Sequence, residues 1–170
     1  NPDIYIPRIM WSKRRDELIV FKMNRLQNKL ELLSGTFSMD TPNNIGIKTK
    51  PIYTENSTTY IDIHDNTSFI NENEFIWTSE KDGYNHIYLI NYANGTEKQL
   101  TSGDWDVTEV YGYASQSKKI FFQAAKSHPT KREIYALYTK NNKIELLTEK
   151  SGTNEANFSK TFNYFINTHS

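Results

Sequence analysis

The 170 residues carry Lys+Arg 20 against Asp+Glu 20, with a pI near 7.1, which removes any electrostatic case for nucleic acid or an anionic membrane surface. Cysteine is absent, so disulfides and thiolate chemistry are excluded, and no stretch approaches the roughly 20 apolar residues that cross a bilayer as a helix. Hydrophobic residues reach only 36% while aromatics reach 14%, a mixture that suits pleated, half-buried strands better than helices.

Taken in chain order, the sequence reads as short strands between turns. Ile4 to Met10 is extended, with Pro7 marking an edge or a bulge. Leu18-Ile19-Val20-Phe21 is an apolar run of strand length. A loose helical stripe of Leu18, Phe21, Leu26, Leu30 and Leu33 competes with it, but the β-rich Ile19-Val20-Phe21 and the interruptions at Asn24 and Asn28 favour strands. Lys29 to Leu33 alternates and is expected to end at a Ser34-Gly35 turn. Ser38 to Asn44 reads as a loop, and Pro51-Ile52-Tyr53 and Tyr60-Ile61-Asp62-Ile63 as further strands.

The second half is more regular. Glu74 to Glu80 is a strand, Lys81-Asp82-Gly83 a tight turn, His86 to Ile90 the returning strand, Asn94-Gly95 a hairpin turn, and Lys98 to Thr101 the closing strand. The unit then repeats. Lys119-Ile120-Phe121-Phe122-Gln123 matches Glu74-Phe75-Ile76-Trp77-Thr78, Glu133 to Leu137 matches His86 to Ile90, and Ile144 to Thr148 matches Glu97 to Thr101. A third copy starts at Asn163. The offsets are 45 residues from Glu74 to Lys119 (119 − 74) and 44 from Lys119 to Asn163 (163 − 119). A period in the forties with about four strands per period is the signature of propeller blades.

The expected fold is therefore all-β: an incomplete β-propeller of about three four-stranded antiparallel blades, 4–56, 60–103 and 107–149, with part of a fourth over 154–170. Ser68-Phe69-Ile70, Val110 to Tyr113 and Ala156-Asn157-Phe158 would be innermost strands. Closure needs about four to eight blades, so the sequence is expected to be a fragment whose open edge invites pairing with a second copy, a possible homodimer. The chain opens on Asn1-Pro2 rather than Met, which leaves room for a removed leader.

Site chemistry is sparse. No Gly-X-Ser-X-Gly elbow and no phosphate loop occurs, and the 7 glycines lie singly in turns. His64, His86, His128 and His169 lie far apart without metal spacing, so no metal, cofactor or catalytic residue is assigned. His64-Asp65 reads as a polar loop and His86 as a satisfied structural histidine; Glu72, Glu74, Glu80 and Asp82 read as solvated turn residues. Trp77 and Trp105 read as packing. The triplets Asn56-Ser57-Thr58 and Asn94-Gly95-Thr96 read as chance in an Asn-rich chain rather than as glycan acceptors.

Two stretches are more specific. Thr78-Ser79-Glu80-Lys81-Asp82-Gly83-Tyr84-Asn85-His86-Ile87-Tyr88, followed by Gln99-Leu100-Thr101-Ser102-Gly103-Asp104-Trp105-Asp106-Val107, closely resembles the N-terminal propeller of the dipeptidyl peptidase IV family, and the Asn-rich loops and turn style resemble its bacterial members. So does Tyr5 to Trp11 followed by Asn24-Arg25-Leu26-Gln27-Asn28. The resemblance implies a parent with an eight-bladed propeller and a C-terminal α/β-hydrolase domain, the latter bearing a Ser-Asp-His triad. It implies release of N-terminal X-Pro or X-Ala dipeptides from a peptide substrate, with this segment framing and gating the cavity. A periplasmic or cell-surface location follows from the same resemblance. The paired glutamates with which the family grips the substrate amine have no counterpart here. Tyr60 to Asp65 corresponds to a segment that approaches the active site, which makes Asp62 and His64 candidate substrate-lining residues, although Tyr60 stands where the family would have Trp. A protein- or ligand-binding propeller without peptidase activity is the alternative.

Overall fold

The computed structural model describes residues 3–41 and 44–170. Among the described residues there are strands and turns but no helix. The first sheet runs β1 (Ile4–Trp11), β2 (Glu17–Asn24), β3 (Lys29–Thr41), β4 (Asn44–Asn56); the second β5 (Ser68–Phe69), β6 (Glu74–Ser79), β7 (His86–Asn91), β8 (Thr96–Gln99). The third runs β9 (Val107–Ala114), β10 (Lys119–Ala124), β11 (Glu133–Tyr138), β12 (Lys143–Leu146), and β13 (Asn154–Phe158) pairs with β14 (Phe165–His169). Each sheet is an antiparallel meander in chain order, as propeller blades are, so the all-β propeller expectation holds.

The chain forms two compact units, Asn1–His64 with Asn71–Glu74 and Asn91–Thr96, and Asp65–Ile70 with Phe75–Ile90 and Glu97–Ser170. In the first, β2 shows the alternation of a half-buried strand: Glu17, Ile19, Phe21 and Met23 point inward, the residues between them outward. Register sets Phe21 opposite Leu32 and Met23 opposite Leu30, and these side chains, with Ile19, are fully buried. The helical alternative fails at Asn24, whose Oδ1 accepts from the Asn28 and Lys29 amides at 3.1 and 3.0 Å and so closes the β2–β3 turn.

Three local expectations are corrected in this unit. Ser34-Gly35 is not a turn: β3 continues through it to Thr41. Gly35 is needed for close approach, since a Cβ there would lie 3.1 Å from Ile47 Cγ2 on β4. The stretch 38–44 is mostly strand, pairing Ser38 with Gly46 and Met39 with Ile45 as β3 and β4 extend; 42 and 43 lie outside the described residues. Tyr60-Ile61-Asp62-Ile63 is not a strand. The backbone there serves the turn of the first sheet, Ile61 N donating to Gln27 O at 2.6 Å and Ser57 N to Asn28 O at 2.9 Å.

A buried carboxylate ties this unit together. Glu17, 3% exposed, accepts from the hydroxyls of Ser12 and Ser34 at 2.6 Å each and of Tyr92 at 3.1 Å. Arg14 lies 3.6 Å from the carboxylate, stands over the Tyr92 ring at 4.4 Å, and donates to Glu72 O and Asn73 Oδ1. Burial opposes ionisation of Glu17, but these hydrogen bonds and the Arg14 charge outweigh it and hold the carboxyl below its ordinary value of 4.5. Burial, and then the Glu17 charge, push the Tyr92 phenol up to about 12.

In the second unit, sheets pack face to face. Ile76, Ile87 and Leu100 meet Ile120, Phe122, Ala124, Tyr135 and Leu137, with Trp105 and Val107 between them. On the far face of β10, Phe121 packs with Ala114 and Ala136 and is covered by Phe158 and Phe162. The strands β6, β10 and β11 are buried on both faces, so they read as continuous apolar runs rather than alternating ones.

Because Glu17 titrates lower when folded than when unfolded, its contribution is complete above its ordinary value and is lost as pH falls through the depressed one. Urea unfolding is expected to show that loss between mildly and strongly acid pH. Glu17→Gln should remove it and lower stability at neutral pH by about 2 kcal/mol, the worth of hydrogen bonds to a charged group.

Candidate functional site

The most specific stretch of sequence turns out to build architecture. β6 and β7 are joined by six residues, 80–85, longer than the tight turn expected, with Gly83 at φ 108° and its amide on Glu80 O at 2.9 Å. Lys81 pairs with Glu97 and sits 3.9 Å over the Tyr88 ring, and Gln99 donates to Asp82. Asn85 clamps the strand that follows: its amide donates to Asp106 Oδ1 at 2.7 Å, its Nδ2 to Val107 O at 2.6 Å, and its carbonyl accepts from Val107 N at 2.8 Å.

His86 is the centre of this arrangement and is fully buried. Its Nε2 lies 2.9 Å from the Gly103 carbonyl, which can only accept, so Nε2 carries the proton and donates. Nδ1 then accepts from Thr101 Oγ1 at 3.1 Å, and that oxygen accepts in turn from Ile87 N at 2.9 Å. Trp105 closes the site edge-on, 4.9 Å from the imidazole. Gly103 has φ 125°, and a Cβ there would lie 2.5 Å from Trp105 Nε1. The separated residues His86, Thr101, Gly103 and Trp105 thus make one closed unit, and the structural reading of His86 and Trp105 holds.

Asp62 and His64 lie on the irregular segment 57–67. Asp62 is exposed and His64 half-buried, with Ile61 buried as the anchor beside them. The Arg8 guanidinium on β1 donates to the His64 carbonyl, which ties the backbone of the segment to β1. The segment thus presents the exposed Asp62 carboxylate on a tethered loop, with His64 half-buried two residues on, an arrangement able to bind a polar or cationic group.

A second acidic feature escaped the sequence reading. On β9 and β13, the strands read from sequence as innermost, Glu109, Tyr111 and Glu155 interact. Desolvation raises the Glu109 carboxyl from its ordinary value, a hydrogen bond with Tyr111 opposes this, and the charge of Glu155 adds to it. Burial pushes the Tyr111 phenol up to about 12; its oxygen accepts from Ala156 N at 3.2 Å. The only local signal was a Glu near an aromatic, which is common. The Glu17–Tyr92 link had none, because the partners lie 75 residues apart. Among the described residues no three His, Asp or Glu side chains gather as metal ligands would.

All residues from 1 to 170 match the family described as the dipeptidyl peptidase IV (DPP IV) N-terminal region. Dipeptidyl peptidase 4 of Trichophyton equinum is 26% identical over 171 residues, covering 96% of this chain and 21% of the relative. The probable dipeptidyl peptidase 4 of Neosartorya fischeri is 24% identical over 174 residues, covering 96% and 22%. The crystal structure of Porphyromonas gingivalis dipeptidyl peptidase 4 superposes with a TM-score of 0.87 at 35% identity, over 100% of this chain and 23% of that one. A putative dipeptidyl aminopeptidase IV from Bacteroides ovatus gives 0.75 at 26% identity, over 97% and 26%. The chain thus spans about a fifth to a quarter of the length of these relatives.

Replacing His86 with Ala would leave the Gly103 carbonyl and the Thr101 hydroxyl without their partner, at about 1–3 kcal/mol for each buried group. Urea denaturation should therefore show a loss of at least about 2 kcal/mol. Gly103→Ala should destabilise by steric conflict with Trp105 and by the left-handed backbone. A stability unchanged in both variants would mean that the hub is not a load-carrying part of the fold.

Proposed function

The chain belongs to the dipeptidyl peptidase IV N-terminal region family, and on that premise we propose that it is the non-catalytic propeller segment of a serine exopeptidase that releases X-Pro and X-Ala dipeptides from peptide N-termini. The observation that carries the proposal is the family match along the whole chain, together with the superposition on P. gingivalis dipeptidyl peptidase 4 at a TM-score of 0.87. The bond chemistry belongs to a C-terminal α/β-hydrolase domain of the same protein, where a Ser-Asp-His triad and an oxyanion hole act on the scissile carbonyl. This segment frames the cavity, admits the peptide and excludes bulkier chains. On the same reading the protein works in the periplasm or at the cell surface.

The segment carrying Asp62 and His64 is the part of this chain that meets substrate. It is irregular, as binding segments commonly are, and its backbone is tied to the first sheet at Ile61 and His64. The exposed Asp62 carboxylate attracts the cationic amine of the peptide during entry, and the His64 imidazole offers a hydrogen bond to its backbone. Neither residue takes part in bond breaking, so each acts on binding.

In the full-length protein, Asp62→Ala and His64→Ala are each expected to lower kcat/KM toward a peptide substrate with X-Pro at its N-terminus by about tenfold, the effect of losing about 1.4 kcal/mol of binding. The loss should lie in KM rather than kcat, with the melting temperature unchanged. An unchanged kcat/KM in both variants would remove these residues from the cavity; absence of any dipeptidyl peptidase activity in the wild-type protein would overturn the enzymatic reading itself.

A further inference from the structure

We propose that Asn94–Gly95 is a site of self-modification, at which the chain deamidates through a cyclic imide. Asn94 is the one asparagine in the sequence that precedes glycine, so the attacking amide nitrogen comes from a residue with no side chain to crowd its approach. The turn between β7 and β8 runs from Tyr92 to Gly95, with Ala93, Asn94, Gly95 and Thr96 all exposed. Gly95 has φ 72°, and a Cβ placed on it would meet nothing within 4 Å. Both reacting residues therefore stand open to water.

The turn also activates the electrophile. Asn94 Oδ1 accepts from Thr96 N at 3.1 Å and from Thr96 Oγ1 at 2.8 Å. That oxygen is the one that gathers negative charge when a nitrogen adds to Cγ. Two donors already placed on it are the arrangement by which acyl-transfer sites stabilise a tetrahedral adduct.

The Gly95 amide loses its proton to hydroxide, and its nitrogen forms a bond to Asn94 Cγ. The Cγ–Nδ2 bond breaks, and the side-chain nitrogen takes up a proton and leaves as ammonia. Water then opens the imide at either carbonyl. One opening yields Asp at position 94; the other yields an isoaspartyl link in which the main chain runs through Cγ. Solvent supplies the only co-reactant and no electron is transferred. The product places a carboxylate near Glu97, and the isoaspartyl form lengthens the turn that Asn91 Oδ1 holds through the Ala93 and Asn94 amides at 3.1 and 3.3 Å.

The test is peptide mapping by mass spectrometry, with enzymatic isoaspartate detection, on the folded full-length protein held at neutral and at alkaline pH. Asn94 should convert before the other asparagines, to both Asp and isoaspartate, and faster as pH rises. Gly95→Ala should slow conversion strongly. Thr96→Val, which keeps the shape but removes the hydroxyl donor, should slow it several-fold in the folded protein and not in urea. Asn94 left intact in the folded protein while it converts in urea would overturn the proposal, as would a glycan on Asn94. An unaltered rate in folded Thr96→Val would overturn the activating role of the turn.

Discussion

Ile120, Phe122 and Ala124 on one face of β10, and Phe121 and Gln123 on the other, need cover that one sheet cannot give itself. Fully burying a large apolar side chain is worth about 1.5–3 kcal/mol, whereas an isolated hairpin is marginal in water. Stacking successive sheets against both faces is the way such strands become stable, and the other features of this unit serve it. The two-stranded sheet β13–β14 shows how far this goes. Phe158 and Phe162 lie on Phe121, Phe162 stacked at 5.4 Å and 7°. Phe162 holds φ 57°, a left-handed backbone unusual for a bulky residue. Its ring also fills the space over Gly112, where a Cβ would come within 2.6 Å. The aromatic contact outweighs the backbone cost and recruits Gly112 to make room.

The repeat makes the polar parts intelligible by comparison with each other. Glu133 is the counterpart of His86, and Thr148 of Thr101, each 47 residues on (133 − 86 and 148 − 101). The backbone follows the repeat, Leu100 N donating to Ile87 O and Leu147 N to Ile134 O, both at 2.8 Å. The side chains do not. In the second sheet the histidine links a threonine hydroxyl, a glycine carbonyl and a tryptophan face. In the third, Glu133 accepts from Tyr135 at 2.7 Å, and Thr148 Oγ1 is buried with no hydrogen-bond partner among the described residues. One frame therefore tolerates either a closed polar hub or a plainer substitute, and the recognisable sequence motif belongs to the repeat in which the hub is closed.

What was legible in the residues was what is local. The alternation of Glu17 to Asn24, the forty-odd-residue period and the Asn-Gly turn are all read within one hairpin or by laying one stretch on another. The failures have a common cause in partners distant along the chain. Gly35 reads as a turn because glycine often is one, but here it is set by Ile47 across the ladder. Tyr60 to Ile63 alternates as a strand does, yet the Ile61 amide donates to the Gln27 carbonyl in the turn of the first sheet. The Asn94-Gly95 turn is present, but as the end of a four-residue loop in which glycine alone is left-handed. The candidate site was legible only through family resemblance. An exposed Asp62 and a half-buried His64 have no local pattern to distinguish them from other polar loop residues.

The same contrast separates the two polar hubs from the polar loop. The hubs at Glu17 and His86 are buried and multiply bonded, so they can change only at the expense of the fold. The segment 57–67 is different in kind. Its anchors are Ile61, buried, and backbone groups at Ile61 and His64, held by Gln27 and Arg8. These backbone contacts, at the Ile61 amide and the His64 carbonyl, fix the course of the chain through the segment. The stretches Thr78 to Tyr88 and Gln99 to Val107, by contrast, are committed through Asn85 and His86 to holding the second sheet to the strand that follows it.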